Sequence, residues 1–96
     1  MLQSADITVY GMENCRWCEK AKVTLDAAGK SYYYIEIADS AKSSFMDGFQ
    51  AVYPQSDRTF PRITKVDTQP ANHRDNPVRL IGGFDQLIEE LLNERI

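Results

Sequence analysis

Cys15 and Cys18 are the only cysteines in the chain, and they stand one helical turn apart in Cys15-Arg16-Trp17-Cys18. A thiol pair at this spacing can close into a disulfide and open again. The thiolate is the attacking form, so the useful question is which sulfur is helped to ionise. Cys15 is the better placed. It follows a short loop and opens a helical stretch, where unpaired N–H groups and the positive end of the helix dipole favour a negative charge. Free cysteine titrates at about 8.5, and such a setting lowers it to roughly 3.5–7.5. Arg16 adds a neighbouring positive charge. Cys15 is therefore read as the nucleophile. Cys18 falls on the apolar side of the same helix and is read as the resolving thiol, attacking a mixed disulfide held on Cys15. Helical neighbours at this spacing have Cβ atoms about 5–6 Å apart. A relaxed disulfide prefers roughly 3.5–4.5 Å. Closing the bond thus asks for an adjustment of the first turn and should leave a labile link, suited to cycling.

Other uses of two cysteines are weaker. A closed zinc site takes about four ligands, and His73 is the sole histidine. A metal or iron–sulfur cluster shared between two chains through Cys15 stays open as a different class of function. The start, Met1 to Asp6, lacks a basic segment leading into an apolar one, so no signal peptide is expected. No apolar run is long enough to span a bilayer. A reducing cytoplasm is the expected compartment, where a purely structural disulfide is out of place. The chain of 96 residues suits one domain, 1–96, and a monomer is the default. A net charge of −3 does not suit a dedicated nucleic-acid binder.

The elements that must hold the thiols can be read from periodicity. Asp6 to Tyr10 alternates and is β-branched, a strand that Gly11 is expected to break. Asn14 is the expected N-cap of a helix from about Cys15 to Ala28, with Cys18, Ala21, Leu25 and Ala28 as its stripe and Gly29 just beyond its end. Ser31 to Ile37 reads as a second strand. Asp39 or Ser40 caps a second helix with Phe45, Phe49 and Val52 as its buried side. After the polar turn Gln55 to Arg58 comes a third strand, Arg62 to Val66. Asp67 to Pro77 is a long polar loop, in which His73 and Arg74 read as solvated residues, with partner docking as the alternative. Val78 to Ile81 is a fourth strand. Phe84, Leu87, Ile88, Leu91 and Leu92 mark a closing amphipathic helix. The order β-α-β-α-β-β-α gives a parallel pair from the first βαβ unit and a hairpin from the last two strands. A CxxC between strand and helix inside such a unit is a strong redox signal.

Three separated segments then match a known family. Thr8-Val9-Tyr10-Gly11 leads to the dithiol. Thr59-Phe60-Pro61-Arg62 is similar to a Thr-Val-Pro segment. Gly82-Gly83-Phe84-Asp85 is similar to a Gly-Gly-x-Asp turn. In this order and spacing the sequence resembles a glutaredoxin, of compact phage type. The resemblance implies an α/β, thioredoxin-like fold, a four-stranded mixed sheet flanked by three helices. It also implies a cis peptide before Pro61. In that family Phe60 would offer its backbone to an extended thiol peptide as an added strand edge does, with Thr59 flanking the groove. Phe84 N–H and the Asp85 carboxylate would hold the γ-glutamyl end of glutathione, and Trp17 would wall the groove.

The implied activity is that of a dithiol glutaredoxin with glutathione as co-substrate and no tightly bound cofactor. Its implied partners are disulfide-containing proteins, ribonucleotide reductase among them. Arg16 stands where many members carry Pro. Met12 stands where many carry a Lys that meets the glycyl carboxylate of glutathione, so a cation must come from Arg16, Arg58 or Arg62. The missing Lys also leaves room for a redoxin of the same fold fed by a thioredoxin-reductase-type flavoprotein.

Overall fold

The computed structural model describes residues 5–66 and 78–96. The predicted polar loop, with His73 and Arg74, and the first four residues lie outside the described residues. The elements run β1 (Ile7–Gly11), α1 (Arg16–Ala27), β2 (Tyr32–Glu36), a 3₁₀ turn (Asp39–Ala41), α2 (Lys42–Val52), β3 (Arg62–Val66), β4 (Val78–Gly82) and α3 (Phe84–Leu92). They form a mixed sheet in the order β2-β1-β3-β4. β1 runs parallel to β2, with Val9 opposite Tyr34, and antiparallel to β3, with Val9 opposite Ile63. β3 and β4 are antiparallel, with a register shift at Ile63/Thr64. The expected fold class is the one found. Among the described residues no helix is long and apolar enough to cross a membrane.

The alternation in β1 explains the layering. Ile7 and Val9 point to one face and pack with Ala21 and Leu25 of α1, Ile63 of β3, Ile81 of β4 and Leu87 of α3. Tyr10 points to the other face, where its ring meets Phe45 and Phe49 of α2 at 5.2 and 5.9 Å. Helices α1 and α3 thus cover one side of the sheet and α2 the other. Burying both faces of a central strand supplies most of the apolar driving force available to a chain of this size.

Four expectations need correction. Gly11 does not break β1 but is its last residue, paired with Glu36. Glycine is required there because any Cβ would run into the Tyr34 ring and hydroxyl. Asn14 is not the cap of α1. It takes a left-handed conformation at φ 59° and turns the chain, and Cys15 itself is the N-cap. Neither Asp39 nor Ser40 caps α2 through its side chain, because both are taken up in the preceding 3₁₀ turn. On α2 the buried residues are Met46 and Phe49, whereas Val52 is 55% exposed.

The closing helix carries a further correction. Leu92 is exposed and Glu90 is buried instead. The reason is electrostatic. Arg79 of β4 pairs with one Glu90 oxygen at 2.9 Å, and Nε of Arg95 donates to the other at 2.8 Å. Burial alone would raise the Glu90 pKa, but the contacts from Arg95 and then Arg79 outweigh it and hold the carboxyl below its ordinary value. A carboxyl that titrates lower in the folded chain than in the unfolded one stabilises fully above its unfolded value. That stabilisation is lost as the pH falls through the folded value. Both arginines are partly solvated, which limits the pair. Glu90→Gln is expected to cost about 1–2 kcal/mol at pH 7. The loss should appear as a lower melting temperature, and the gap from the parent chain should close as the pH is taken down to acid. A gap that widens in acid would contradict this sign.

Candidate active site

Sequence places Cys15 at a helix start, and the backbone confirms the position in detail. Cys15 is extended, with φ −106° and ψ 106°, so it stands just outside α1 as its N-cap. Its Sγ accepts a hydrogen bond from the Cys18 N–H at 3.2 Å. Its carbonyl accepts from Glu19 N–H at 3.1 Å and so begins the helix. A sulfur in this place meets the unpaired N–H groups and positive end of α1. Cys15 and Cys18 are joined as a disulfide, with Cα atoms 5.2 Å apart, inside the ordinary range of about 4.4–6.8 Å. The adjustment expected of the first turn is visible here: Cys15 leaves the helix. Cys18 is fully buried at 0% exposure, whereas Cys15 is partly open.

A groove of about 390 Å³ reaches the dithiol segment through Trp17, which stands between the two cysteines in the sequence. Trp17, Thr59, Phe60, Pro61, Phe84 and Asp85 all line it, so the structure brings together every groove residue named from the sequence. They come from three places in the chain. Trp17 is on the first turn of α1, 47% exposed, with its ring 5.4 Å from that of Phe84 at the start of α3. Thr59, Phe60 and Pro61 form the loop before β3, and the Phe60–Pro61 peptide is cis, as the resemblance implied. The Phe60 ring stacks on Phe45 at 5.8 Å, which ties this loop back to α2.

The groove also contains residues that sequence reading gave no groove role or mentioned only in passing. Asp57, Gly83 and Gln86 line it, and so does Arg62. Gln86 Oε1 accepts from Gly83 N–H at 2.9 Å and closes the turn into α3. Both glycines of the turn have a steric reason. Gly82 holds φ 126°, a region other residues avoid. A Cβ on Gly83 would stand 2.9 Å from Arg62 Nη2.

Arg62 is only 4% exposed. Its Nε donates to the Pro61 carbonyl at 3.1 Å, Nη1 to Ser56 Oγ at 3.0 Å and Nη2 to Thr59 Oγ1 at 3.5 Å. Burial pulls the guanidinium pKa below its ordinary value, with Asp57 pulling the other way. An arginine keeps its charge under such a shift. The other two cations offered by the sequence lie elsewhere. Arg58 is engaged by Asp47 at 3.0 Å and by Gln50 at 2.8 Å against α2. Arg16 is exposed and does not line the groove; it lines an adjoining hollow with Lys20 and Val23, on the other side of Phe84. Met12 does not line the groove. Among the described residues no group of three or more His, Cys, Asp or Glu is placed to hold a metal ion.

The steric role of Gly83 gives a test of the site. Arg62 is fixed by three hydrogen bonds and cannot swing away cheaply, so a Cβ at 83 must displace it or the turn. Gly83→Ala is expected to leave the buried core and secondary structure intact. It should weaken binding of a thiol peptide in the groove by about tenfold, or ~1.4 kcal/mol, read as a rise in KM. An unchanged KM would show that this turn is not part of the binding surface.

A comparison with known families and structures adds a separate line of support. A family model described as Glutaredoxin matches residues 7–69. Among solved structures, a glutaredoxin from Archaeoglobus fulgidus is similar in fold, with a TM-score of 0.59 and 14% identity, covering 93% of this chain and 86% of that one. No match was found among curated protein sequences.

Proposed function

The chain belongs to the glutaredoxin family, and on that premise we propose that it is a glutathione-linked dithiol glutaredoxin that reduces protein disulfides and glutathione mixed disulfides. The family and the fold make it a thiol–disulfide oxidoreductase. The observation that carries the finer reading is the groove that Trp17 of the dithiol segment shares with Thr59, the cis Phe60–Pro61 peptide, Phe84 and Asp85.

In the proposed cycle the Cys15 thiolate attacks the glutathionyl sulfur of a mixed disulfide. The old sulfur–sulfur bond breaks, and the protein thiolate leaves and takes a proton. Cys15 now carries glutathione, which a second glutathione thiolate removes as oxidised glutathione. With a protein disulfide, Cys15 first forms a mixed disulfide to the protein. Cys18 then attacks Cys15 Sγ, releases the protein dithiol and leaves the Cys15–Cys18 bond. Two glutathione molecules reopen that bond: the first forms a mixed disulfide with Cys15, the second displaces it as oxidised glutathione, and the electron pair passes from the two glutathione thiols to Cys15 and Cys18, which end as thiols. Bound glutathione would lie with its γ-glutamyl end at Phe84 N–H and Asp85, its cysteinyl backbone along Phe60, and Trp17 as a wall. Glutathione is the co-substrate, and no tightly bound cofactor enters the cycle. Ribonucleotide reductase is a candidate among protein substrates, the cytoplasm is the expected setting, and the chain works as a monomer of one domain.

Incubating a Cys18→Ala variant with oxidised glutathione tests the reading. One glutathionyl group on Cys15, seen by mass spectrometry, is the expected product. A variant left unmodified would contradict it. One observation favours a second reading: Met12 leaves the family's usual lysine position without a cation. On that reading a thioredoxin-reductase-type flavoprotein supplies the electrons to the same two cysteines.

A further inference from the structure

Arg62 is a buried cation with no direct ion pair; the nearest charge acting on it, Asp57, works only at longer range. All three of its hydrogen bonds go to uncharged oxygens, those of Pro61, Ser56 and Thr59. Among the described residues no carboxylate lies within ion-pairing distance of it. Buried charges are nearly always paired, because an isolated one is expensive to desolvate. Arg62 is also not sealed away. It lines the groove, and its Nη2 lies against Gly83, at the N-terminus of α3. A guanidinium has five N–H donors, and three are used here. Two donors remain on the guanidinium, and α3 begins at the same end of the groove, so an anion held there would meet both.

The other charges at this end narrow the ligand. Asp57 and Asp85 line the same groove and are exposed. A simple anion would be repelled by them, and a simple cation by Arg62. A group bearing both an ammonium and a carboxylate on one carbon fits both signs. The γ-glutamyl end of glutathione is such a group. We propose that Arg62 is a specificity-determining residue of this protein, its guanidinium binding the α-carboxylate at the γ-glutamyl end while the aspartates face the ammonium. The inference rests on the glutathione-linked reading above. It gives this chain a groove cation, and at the opposite end of the ligand from the one a lysine at position 12 would serve.

The test compares two substrates on two proteins. The substrates are a peptide carrying glutathione as a mixed disulfide and the same peptide carrying glutathione esterified at its γ-glutamyl α-carboxylate. Dithiothreitol serves as reductant, so that glutathione enters only as substrate. A charge-assisted bond of this kind corresponds to a preference of about 10- to 100-fold in kcat/KM for the free acid. The wild type should show that preference, and Arg62→Met should reduce it to about threefold or less. A purely structural Arg62 would lower both substrates together and leave the ratio intact, which would overturn the proposal. Esterifying the glycyl carboxylate instead should leave the effect of Arg62→Met unchanged; an effect that disappears with the glycyl ester would assign Arg62 to the wrong end. If Arg62→Met does not fold, the wild type alone decides: equal rates on the two γ-glutamyl forms would overturn the proposal. A wild type that does not process the glutathionylated peptide at all would instead remove the glutathione-linked reading itself.

Discussion

Cys15→Ser is expected to lose thiol–disulfide exchange by about 1,000-fold or more, while the fold stays intact. The two halves of this expectation have separate physical grounds. Exchange needs a thiolate at the attacking position, and a serine hydroxyl does not ionise near neutral pH, nor can it form the sulfur–sulfur bond of the intermediate. Structure, in contrast, asks Cys15 only to cap a helix. It is the N-cap of α1, with its sulfur accepting from the Cys18 N–H. Serine is among the best residues at an N-cap. The thermal melt of the variant should therefore lie close to that of the reduced parent chain. Turnover above about one tenth of the parent rate would show that the attacking group is elsewhere.

Cys18→Ala is expected to split the activity in two. Exchange with glutathione mixed disulfides needs only Cys15 and should persist within about threefold. Reduction of a protein disulfide should fall by about 100-fold or more, because the mixed disulfide on Cys15 then waits for an external thiol instead of one already held beside it. Cys18 is fully buried, its backbone N–H bonded to Cys15 Sγ. Such a thiol is shielded from outside reagents yet adjacent to the sulfur it would attack in the proposed cycle. Removing it leaves a small void, costing about 1 kcal/mol, which is not enough to unfold the chain. Equal losses on both substrate classes would contradict the division of roles. So would protein-disulfide reduction that proceeds undiminished.

How far the sequence was legible depended on the range of the interactions involved. The strands and helices followed from local periodicity, because β1 alternates and α1 carries its stripe at Cys18, Ala21 and Leu25. The groove residues followed from three short segments whose meeting is fixed by the topology. Features set by distant neighbours were hidden. Gly11 looks like a strand breaker, and only the Tyr34 side chain from β2 shows why glycine continues the strand there. Glu90 reads as solvent-facing on any helical wheel that puts Leu92 inside, and it is Arg79 and Arg95 that draw it in. Ser56 sits in a polar turn that reads as surface, yet its hydroxyl is buried beneath Arg62. Arg62 could be named as one of three candidate cations. Choosing among them required the partners of Arg58, the exposure of Arg16 and the direction of the Arg62 guanidinium.

The same contrast separates the two cysteines from the groove. Their chemistry depends on a helix start and on one turn of spacing, both encoded within a few residues. The choice of electron donor depends on the far walls of the groove. Met12 stands where the family's usual lysine would be, whereas Phe84, Asp85 and Arg62 line the groove.

The most direct test of the central claim is a steady-state assay with glutathione, glutathione reductase, NADPH and a small glutathione mixed disulfide, run beside the same assay with a thioredoxin-reductase-type flavoprotein in place of glutathione and its reductase. Rapid NADPH oxidation in the first assay, lost in Cys15→Ser, is the predicted result. Turnover confined to the second assay would contradict the glutathione-linked account and assign the Cys15–Cys18 pair to a flavoprotein donor.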